Sequence, residues 1–455
     1  MDKKLLIAGW LLCLVAVTQA QPGLLKYRVC LKDKAATEYS LDHPEAYLSA
    51  KSLGRRQRQG LAVDSTDLPV CGRYVEEIAR QGVQILLTGK WENFVTVACS
   101  DSSAVARVAA LPFVRSVRKV WQPPLEALPP TARDPLSNRP TLHPDSLYGT
   151  AFAQIAMSNG HRLHQAGFRG ETMTIAVMDA GFHNVDKIKA MRNLHIVGTR
   201  DFVHPDSDIY AQGSHGTLVL SCMAMNKPQV MVGTAPEASY WLLRTEDESG
   251  EFPIEEDYWG TAVEFADSVG VDVLNTSLGY YAFDDASQNY ELRHLDGRCS
   301  LMSRQASRVA AKGMVMVCSA GNAGRGSWKK ITPPADAFDV LTVGAIDRRR
   351  LLAPFSSVGP TADGRVKPDV VAVGSQADVM LTNGNQGEAD GTSFASPILC
   401  GMVACLWQAC PRLTAAQLLE LVRRSGDRAD FPDNVYGYGV PDLWQAYQTY
   451  LQQAN

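Results

Sequence analysis

From residue 173 onward, short and solidly apolar runs recur along the chain. They are "MTIAVMD" (Met173–Asp179), "YWLLRT" (Tyr240–Thr245), "VDVLNTS" (Val271–Ser277), "MVMVCSAG" (Met314–Gly321) and "VLTVGA" (Val340–Ala345). Their length and β-branched content predict strands buried on both faces. Between them lie stretches with helical spacing, "IEEDYWGTAVEFADSVG" (Ile254–Gly270) and "LMSRQASRVAAKG" (Leu301–Gly313). Apolar strands alternating with helices predict an α/β domain, a parallel sheet sandwiched by helices. Ligands of such sheets bind at the carboxyl ends of strands. Asp179, Asn275 and Asn322 all fall there.

Residues 21–121 follow a different rhythm. "LLKYRVCLK" (Leu24–Lys32) alternates like a strand, and "RYVEEIARQG" (Arg73–Gly82) reads as a short helix stopped by Gly82. "VQILLTG" and "FVTVAC" read as strands joined by "KWEN". "DSSAVARVAAL" starts on the capping residues Asp101 and Ser102 and puts Val105, Val108 and Ala109 on one face. "FVRSVRKV" (Phe113–Val120) closes the unit as a strand. The order β-α-β-β-α-β is that of a small α+β, ferredoxin-like sandwich. A polar stretch, Asp33–Pro69, interrupts it. In that topology the first and third strands are neighbours, so Cys30 and Cys99 are expected to face each other as a candidate disulfide. "GRRQRQ" (Gly54–Gln59) reads as a solvated basic loop that another protease could nick.

Two further segments stand apart. Residues 122–147 carry Pro123, Pro124, Pro129, Pro130, Pro135, Pro140 and Pro144, which predicts an extended linker rather than a packed element. Residues 1–20 put Lys3 and Lys4 before an apolar run, Leu5–Val17, and end on Thr18-Gln19-Ala20 with small residues at the −3 and −1 positions. That is the pattern of a secretory signal peptide. Leu12 before Cys13 does not fit a lipoprotein signal. No later segment reaches about 18 uninterrupted apolar residues, so no membrane span is expected after signal removal. The organisation is then signal peptide 1–20, small domain 21–121, linker 122–147 and a large domain 148–455.

The composition changes this picture little. The chain is 45% hydrophobic and 20% charged with net charge −4, a globular balance that gives no reason to expect nucleic acid as a partner. The charge is unevenly spread, about +5 over residues 21–121 and about −10 over 122–455, which favours docking of the two parts. Of ten cysteines Cys13 leaves with the signal, and the remaining odd number means at least one is unpaired. Cys222, Cys318 and Cys400 sit in apolar segments as small buried hydrophobes. There is no CxxC pair and no Cys/His metal spacing.

The candidate chemistry lies in four short segments. "AVMDAGF" ends a strand on Asp179, and "GSHGTLVLSCMA" sets His215 before Gly216-Thr217 and an apolar helical run. "CSAGNAG" puts Asn322 in a glycine-rich turn. "DGTSFASP" puts Ser393 at a turn into a helix, with Gly391 allowing the tight turn and Pro397 expected in the first helical turn. A serine nucleophile needs a base, a group to orient that base, and donors for the oxyanion. Each segment alone reads as a turn or cap. Together they supply the full set in the chain order Asp, His, Asn, Ser.

"DAG", "HGT" and "GTSFASP" resemble the signatures of the subtilisin-like serine protease family, with Phe394 where methionine is usual and its apolar packing role kept. "SAGN" is similar to that family's oxyanion segment, and "NTSLG" (Asn275–Gly279) to its substrate-binding edge strand. The resemblance spans roughly residues 150–450, and 21–121 resembles the inhibitory propeptide of exported members of Bacteroidetes type. It implies a subtilisin-like fold and an endopeptidase made as a self-inhibited precursor, exported to the periplasm or the exterior. Ser393 would be the nucleophile, His215 the base, Asp179 its orienting carboxylate and Asn322 the oxyanion donor. Ser277, Leu278 and Gly279 would pair with polypeptide substrates as an added strand, and Ser396 would pack or cap. Ala323 and "SWKKITPPADA" (Ser327–Ala337) would help line a primary pocket. Relatives often bind calcium in loops, but no dense Asp/Asn ligand run stands here, so no cofactor is expected.

Two other functions compete. A non-catalytic peptide-binding protein could keep the fold, but degenerate copies commonly lose Ser, His or Asp, and all three are present. An esterase of α/β-hydrolase type needs Gly-x-Ser-x-Gly, and "GTSFA" lacks the second glycine and has the wrong chain order.

Overall fold

The computed structural model describes residues 23–454 apart from 36, 125–136 and 139–146. The expected signal peptide and most of the proline-rich segment lie outside the described residues.

The N-terminal unit has strands β1 (Leu25–Leu31), β2 (Gln84–Gly89), β3 (Phe94–Cys99) and β4 (Val114–Trp121), with helices α2 (Gly72–Ala79) and α3 (Ser102–Ala109). The sheet runs in the order β2-β3-β1-β4 with every pairing antiparallel, as the β-α-β-β-α-β order predicts. Alternate residues of its strands go to opposite faces. Val95, Val97 and Cys99 pack on Ile78 and Val108 of the unit's own helices. Trp91 and Val120 join a different core, with Trp259 and Met302 of the large domain.

Three expectations for this unit are corrected. Asp33–Pro69 is no mere polar interruption: it holds helix α1 (Ala50–Gln59), capped by the Ser49 side chain. "GRRQRQ" is the body of that helix rather than a solvated loop, and Arg55 and Arg56 are each only 1% exposed. The Cys30–Cys99 pairing fails on register. The strands are neighbours, but Leu25 stands opposite Cys99 and Cys30 opposite Phe94, and both thiols are free.

The large domain is built on a seven-stranded parallel sheet. Its strands are β6 (Thr174–Asp179), β7 (His195–Asp201), β8 (Ser239–Arg244), β9 (Val273–Thr276), β10 (Val315–Ser319), β11 (Leu341–Ile346) and β12 (Val370–Val373), in the order β12-β11-β10-β9-β6-β8-β7. β6 shows why a solid apolar run is required. Ile175 and Val177 face the core under helices α4 (His215–Ala224) and α7 (Thr392–Ala409), while Ala176 and Met178 face helix α5 (Ile254–Val269). Strands β7 and β12 were not foreseen. "LMSRQASRVAAKG" is helical only over α6 (Leu301–Ala306), followed by a single tighter turn at Ala310–Lys312.

β5 (Ser137–Asn138), inside the expected linker, forms an edge strand on β14 (Gln386–Ala389), which pairs in turn with β13 (Ala377–Met380). These two linker residues are therefore paired rather than free of packing. Helix α7 is apolar and long enough to cross a membrane, yet 94% buried as the central helix of the domain.

The N-terminal unit docks on α5, and charge organises the contact. Arg28 is buried between Asp257, Glu256 and the Pro253 carbonyl, and Thr96 donates to Asp257 at 2.7 Å. Arg55 and Arg56 both pair with Asp267, the latter at 2.7 Å, and Arg56 also holds Asp67 at 3.0 Å. Lys312 closes the cluster on Asp67 at 2.9 Å and Asp64 at 3.0 Å. The backbone amides of Lys90 and Trp91 donate to Glu264 at 2.6 and 2.8 Å. The opposite charges read from the sequence meet here as buried pairs.

Candidate active site

Asp179 is the last residue of β6 and fully buried. Its Oδ1 accepts from the Ala180 amide at 2.8 Å, which fixes the carboxylate at the sheet edge. His215 opens helix α4, and its Nδ1 lies 2.9 and 3.0 Å from the two Asp179 oxygens. That bond leaves Nε2 facing the cleft. The glycine after the histidine is a packing requirement: a Cβ at Gly216 would sit 2.3 Å from the Gly181 carbonyl oxygen and 2.9 Å from Asp179 Cβ. Thr217 anchors the same turn by donating to the His183 carbonyl at 2.9 Å. Phe394 lies beside the imidazole, ring centroids 5.7 Å apart, and is itself buried as its apolar role predicts.

Ser393 is the second residue of α7, after Gly391 at φ 153°, a backbone angle that favours glycine. The first-turn amides of α7 have no acceptor within the helix, so the Ser393 N–H is available as a donor. Pro397 was expected in the first turn but lies one turn further in. It lacks the N–H that would bond the carbonyl four residues back, that of Ser393. The Ser277 hydroxyl donates to that carbonyl instead, at 2.8 Å. Ser396 is buried and donates to Asn275 Oδ1 at 2.8 Å, while Asn275 Nδ2 donates to Ser277 Oγ at 3.1 Å. The proline thus creates a free acceptor that ties the nucleophile helix to the edge after β9. Asn275 and Thr392 were not singled out from sequence. Their signal was the polar residue kept inside an apolar strand and the hydroxyl beside Ser393.

Asn322 follows β10. Its Oδ1 accepts from the Thr392 amide and hydroxyl, each at 2.9 Å, so its Nδ2 is the side left to donate. The Ser393 hydroxyl rests on the Ser277 carbonyl at 3.3 Å. His215, Ser393, Asn322 and Ser277–Gly279 all line one cleft of about 500 Å³. Ala323 and Thr332 line it too, as expected of a primary pocket. Asp179 stands behind His215, outside the lining.

The catalytic-type segments match the Subtilase family over residues 170–439. The chain belongs to that family. The N-terminal unit matches the Peptidase S8 propeptide domain, Bacteroidota, over residues 26–133. Subtilisin NAT of Bacillus subtilis subsp. natto is 29% identical over 288 residues, 63% of this chain and 68% of that protein. Serine protease AprX of Bacillus subtilis (strain 168) is 28% identical over 335 residues, 65% of this chain and 70% of its own length. A thermostable alkaline protease of Halalkalibacterium halodurans is 25% identical over 295 residues, 65% of this chain and 73% of its own. This subtilase is therefore a subtilisin-family serine peptidase with a propeptide domain, and its fold is the one the sequence predicts.

Proposed function

We propose that this subtilase is an exported endopeptidase that cleaves peptide bonds through Asp179, His215 and Ser393 and is made as a self-inhibited precursor. The observation that carries the reading is the Asp179–His215 pair at 2.9 Å, with Ser393 in the same cleft at the start of a buried helix.

His215 Nε2 takes the Ser393 proton as Oγ attacks the substrate carbonyl carbon. Asp179 holds the imidazole tautomer and stabilises the cation that forms. The negative charge moves onto the carbonyl oxygen, where Asn322 Nδ2 and the Ser393 N–H donate to it. Collapse breaks the C–N bond, His215 returns its proton to the leaving amine, and an acyl-serine remains. Water, deprotonated by His215, releases the acid and restores the serine. Ser277, Leu278 and Gly279 hold the peptide backbone as an added strand.

The propeptide domain acts in this reading as an intramolecular inhibitor, supported by its buried ion pairs to α5. Its cut lies between Val120 and Tyr148. Residues 1–20 direct export.

Intact mass of the secreted protein tests the scheme, wild type beside Ser393→Ala. Loss of roughly 100–130 N-terminal residues from the wild type alone is expected, from the length of the segment ahead of the large domain. If both are cut alike, self-processing is wrong. If neither is cut, the N-terminal unit is a permanent accessory domain. Covalent labelling of Ser393 by a fluorophosphonate then tests the triad by itself.

A further inference from the structure

The wall of the cleft beyond Gly279 is acidic in a way the triad does not use. Glu246 and Glu251 line the cleft with His215 and Ser393. Glu255 stands behind them, 1% exposed, held by the amides of Asp247 at 2.9 Å and Phe252 at 3.3 Å. Burial and the negative charges of Glu251 and Glu246 raise the Glu255 carboxyl well above its usual range. Glu251 is raised as well, by partial burial and then by Glu246 and Asp284, and it hydrogen-bonds Glu255.

A second, independent feature points the same way. Tyr280 also lines the cleft and is 4% exposed, and its hydroxyl has no hydrogen-bond partner among the described residues. That phenol lies among Glu255, Glu246 and Glu251, whose charges resist its ionisation after burial has already done so. A buried, unpaired hydroxyl costs about 1–3 kcal/mol unless something occupies it. Among the described residues no lysine or arginine lines this cleft. Nor do three His, Cys, Asp or Glu side chains there come together in a way that could hold a metal ion.

We propose that this wall is a specificity subsite for a basic side chain of the bound peptide, a lysine or arginine. The inference rests on the protease reading above. The cation would donate to the Tyr280 oxygen and to the Glu246 and Glu251 carboxylates, and supply the positive charge the cluster lacks. Its place along the substrate follows from strand geometry. Tyr280 is three residues past Ser277, whose carbonyl meets the Ser393 hydroxyl. At about 3.3 Å per residue that is roughly 10 Å from the reacting atoms. The basic residue therefore sits two to four residues from the scissile bond. The chain's own segment 122–147, which holds the proposed cut, carries two arginines, Arg133 and Arg139.

The test is a set of quenched fluorescent peptides with a neutral core. Each position within four residues of the cleaved bond is filled in turn by Arg or Gln, and kcat/KM is measured for the mature wild type, Glu246→Gln and Glu251→Gln. The Arg-to-Gln ratio is taken within each protein, so a general change in activity cancels. At one position a wild-type ratio of about tenfold or more is expected, falling towards one in the variants and shrinking with added salt. A wild type that cleaves the neutral peptides with a ratio near one everywhere overturns this inference and leaves the protease reading intact. A ratio unchanged in both variants also overturns it. A wild type that cleaves no peptide and takes no fluorophosphonate overturns both.

Discussion

Replacing Asp267 by Asn in a Ser393→Ala precursor would test whether buried charge holds the propeptide domain in place. Asp267 is fully buried and receives two guanidiniums, Arg55 and Arg56, each 1% exposed. Without its charge the cluster keeps Arg55, Arg56 and Lys312 facing Asp67, with Asp64 at the exposed edge. Removing one partner of a buried pair typically costs about 3–5 kcal/mol, because the other is left charged and dry. At about 1.4 kcal/mol per factor of ten, that is two to four orders of magnitude in the opening equilibrium of α1. Native-state hydrogen exchange of the Ala50–Gln59 amides reads this locally, without assuming that the two domains unfold together. Arg80→Ala breaks an exposed pair with Glu76, 67% and 68% exposed, and serves as the control with an effect of about 0–1 kcal/mol. If Asp267→Asn matches the control, water reaches the cluster and the charge argument for docking is wrong.

Asn322→Asp keeps an acceptor for Thr392 but removes the amide donor, so the melting temperature should hold while turnover drops. For subtilisin itself, loss of such a donor costs about 10²–10³ in turnover, and the same order is expected here; near-normal turnover would take Asn322 out of the oxyanion role. Gly216→Ala drives a Cβ into the Gly181 carbonyl and displaces His215, so kcat should fall by about 10²-fold with KM little changed. Kinetics with a small peptide would show a KM effect instead if Gly216 only shaped the cleft. Glu264 is pushed up to about 7 by burial, against the attraction of Lys90, from an ordinary 4.5. A carboxyl raised in this way binds an extra proton when docked. Its stabilisation of the docked state is full below about 4.5 and lost as pH rises through about 7, at most about 3 kcal/mol. Propeptide retention measured from pH 5 to 8 should therefore weaken, and tighter retention at pH 8 would contradict this.

The strands of the large domain were legible because burial on both faces demands an unbroken apolar run, and β6 carries one. β7 was not, because it is an edge strand whose burial is mixed and whose residues are partly exposed. The triad segments were legible because the close approach of β6 to α4 requires particular small residues, such as Gly216, at fixed places beside Asp179 and His215. What escaped was every feature decided by a distant partner. Arg55 and Arg56 look like solvated charge until Asp267, more than 200 positions away, is folded against them. The Cys30–Cys99 idea had the right neighbouring strands and the wrong register, which hydrogen bonding along the strands sets. The acidic wall lay unread for the same reason, since Glu246, Glu251, Glu255 and Tyr280 meet only when β8, α5 and the edge after β9 are assembled.

The only local trace of the docking surface was the opposite charge of the two domains. Its realisation as buried ion pairs fits a partner meant to leave. An apolar interface of the same size would leave an exposed hydrophobic patch on the mature enzyme, prone to association. Charges instead return to water when the propeptide departs. Their hydration then offsets the attraction lost, so the pairs fix where the domain docks while adding little net affinity against its release. In the proposed scheme α5 is thus a guide for the precursor and a soluble surface for the mature protease.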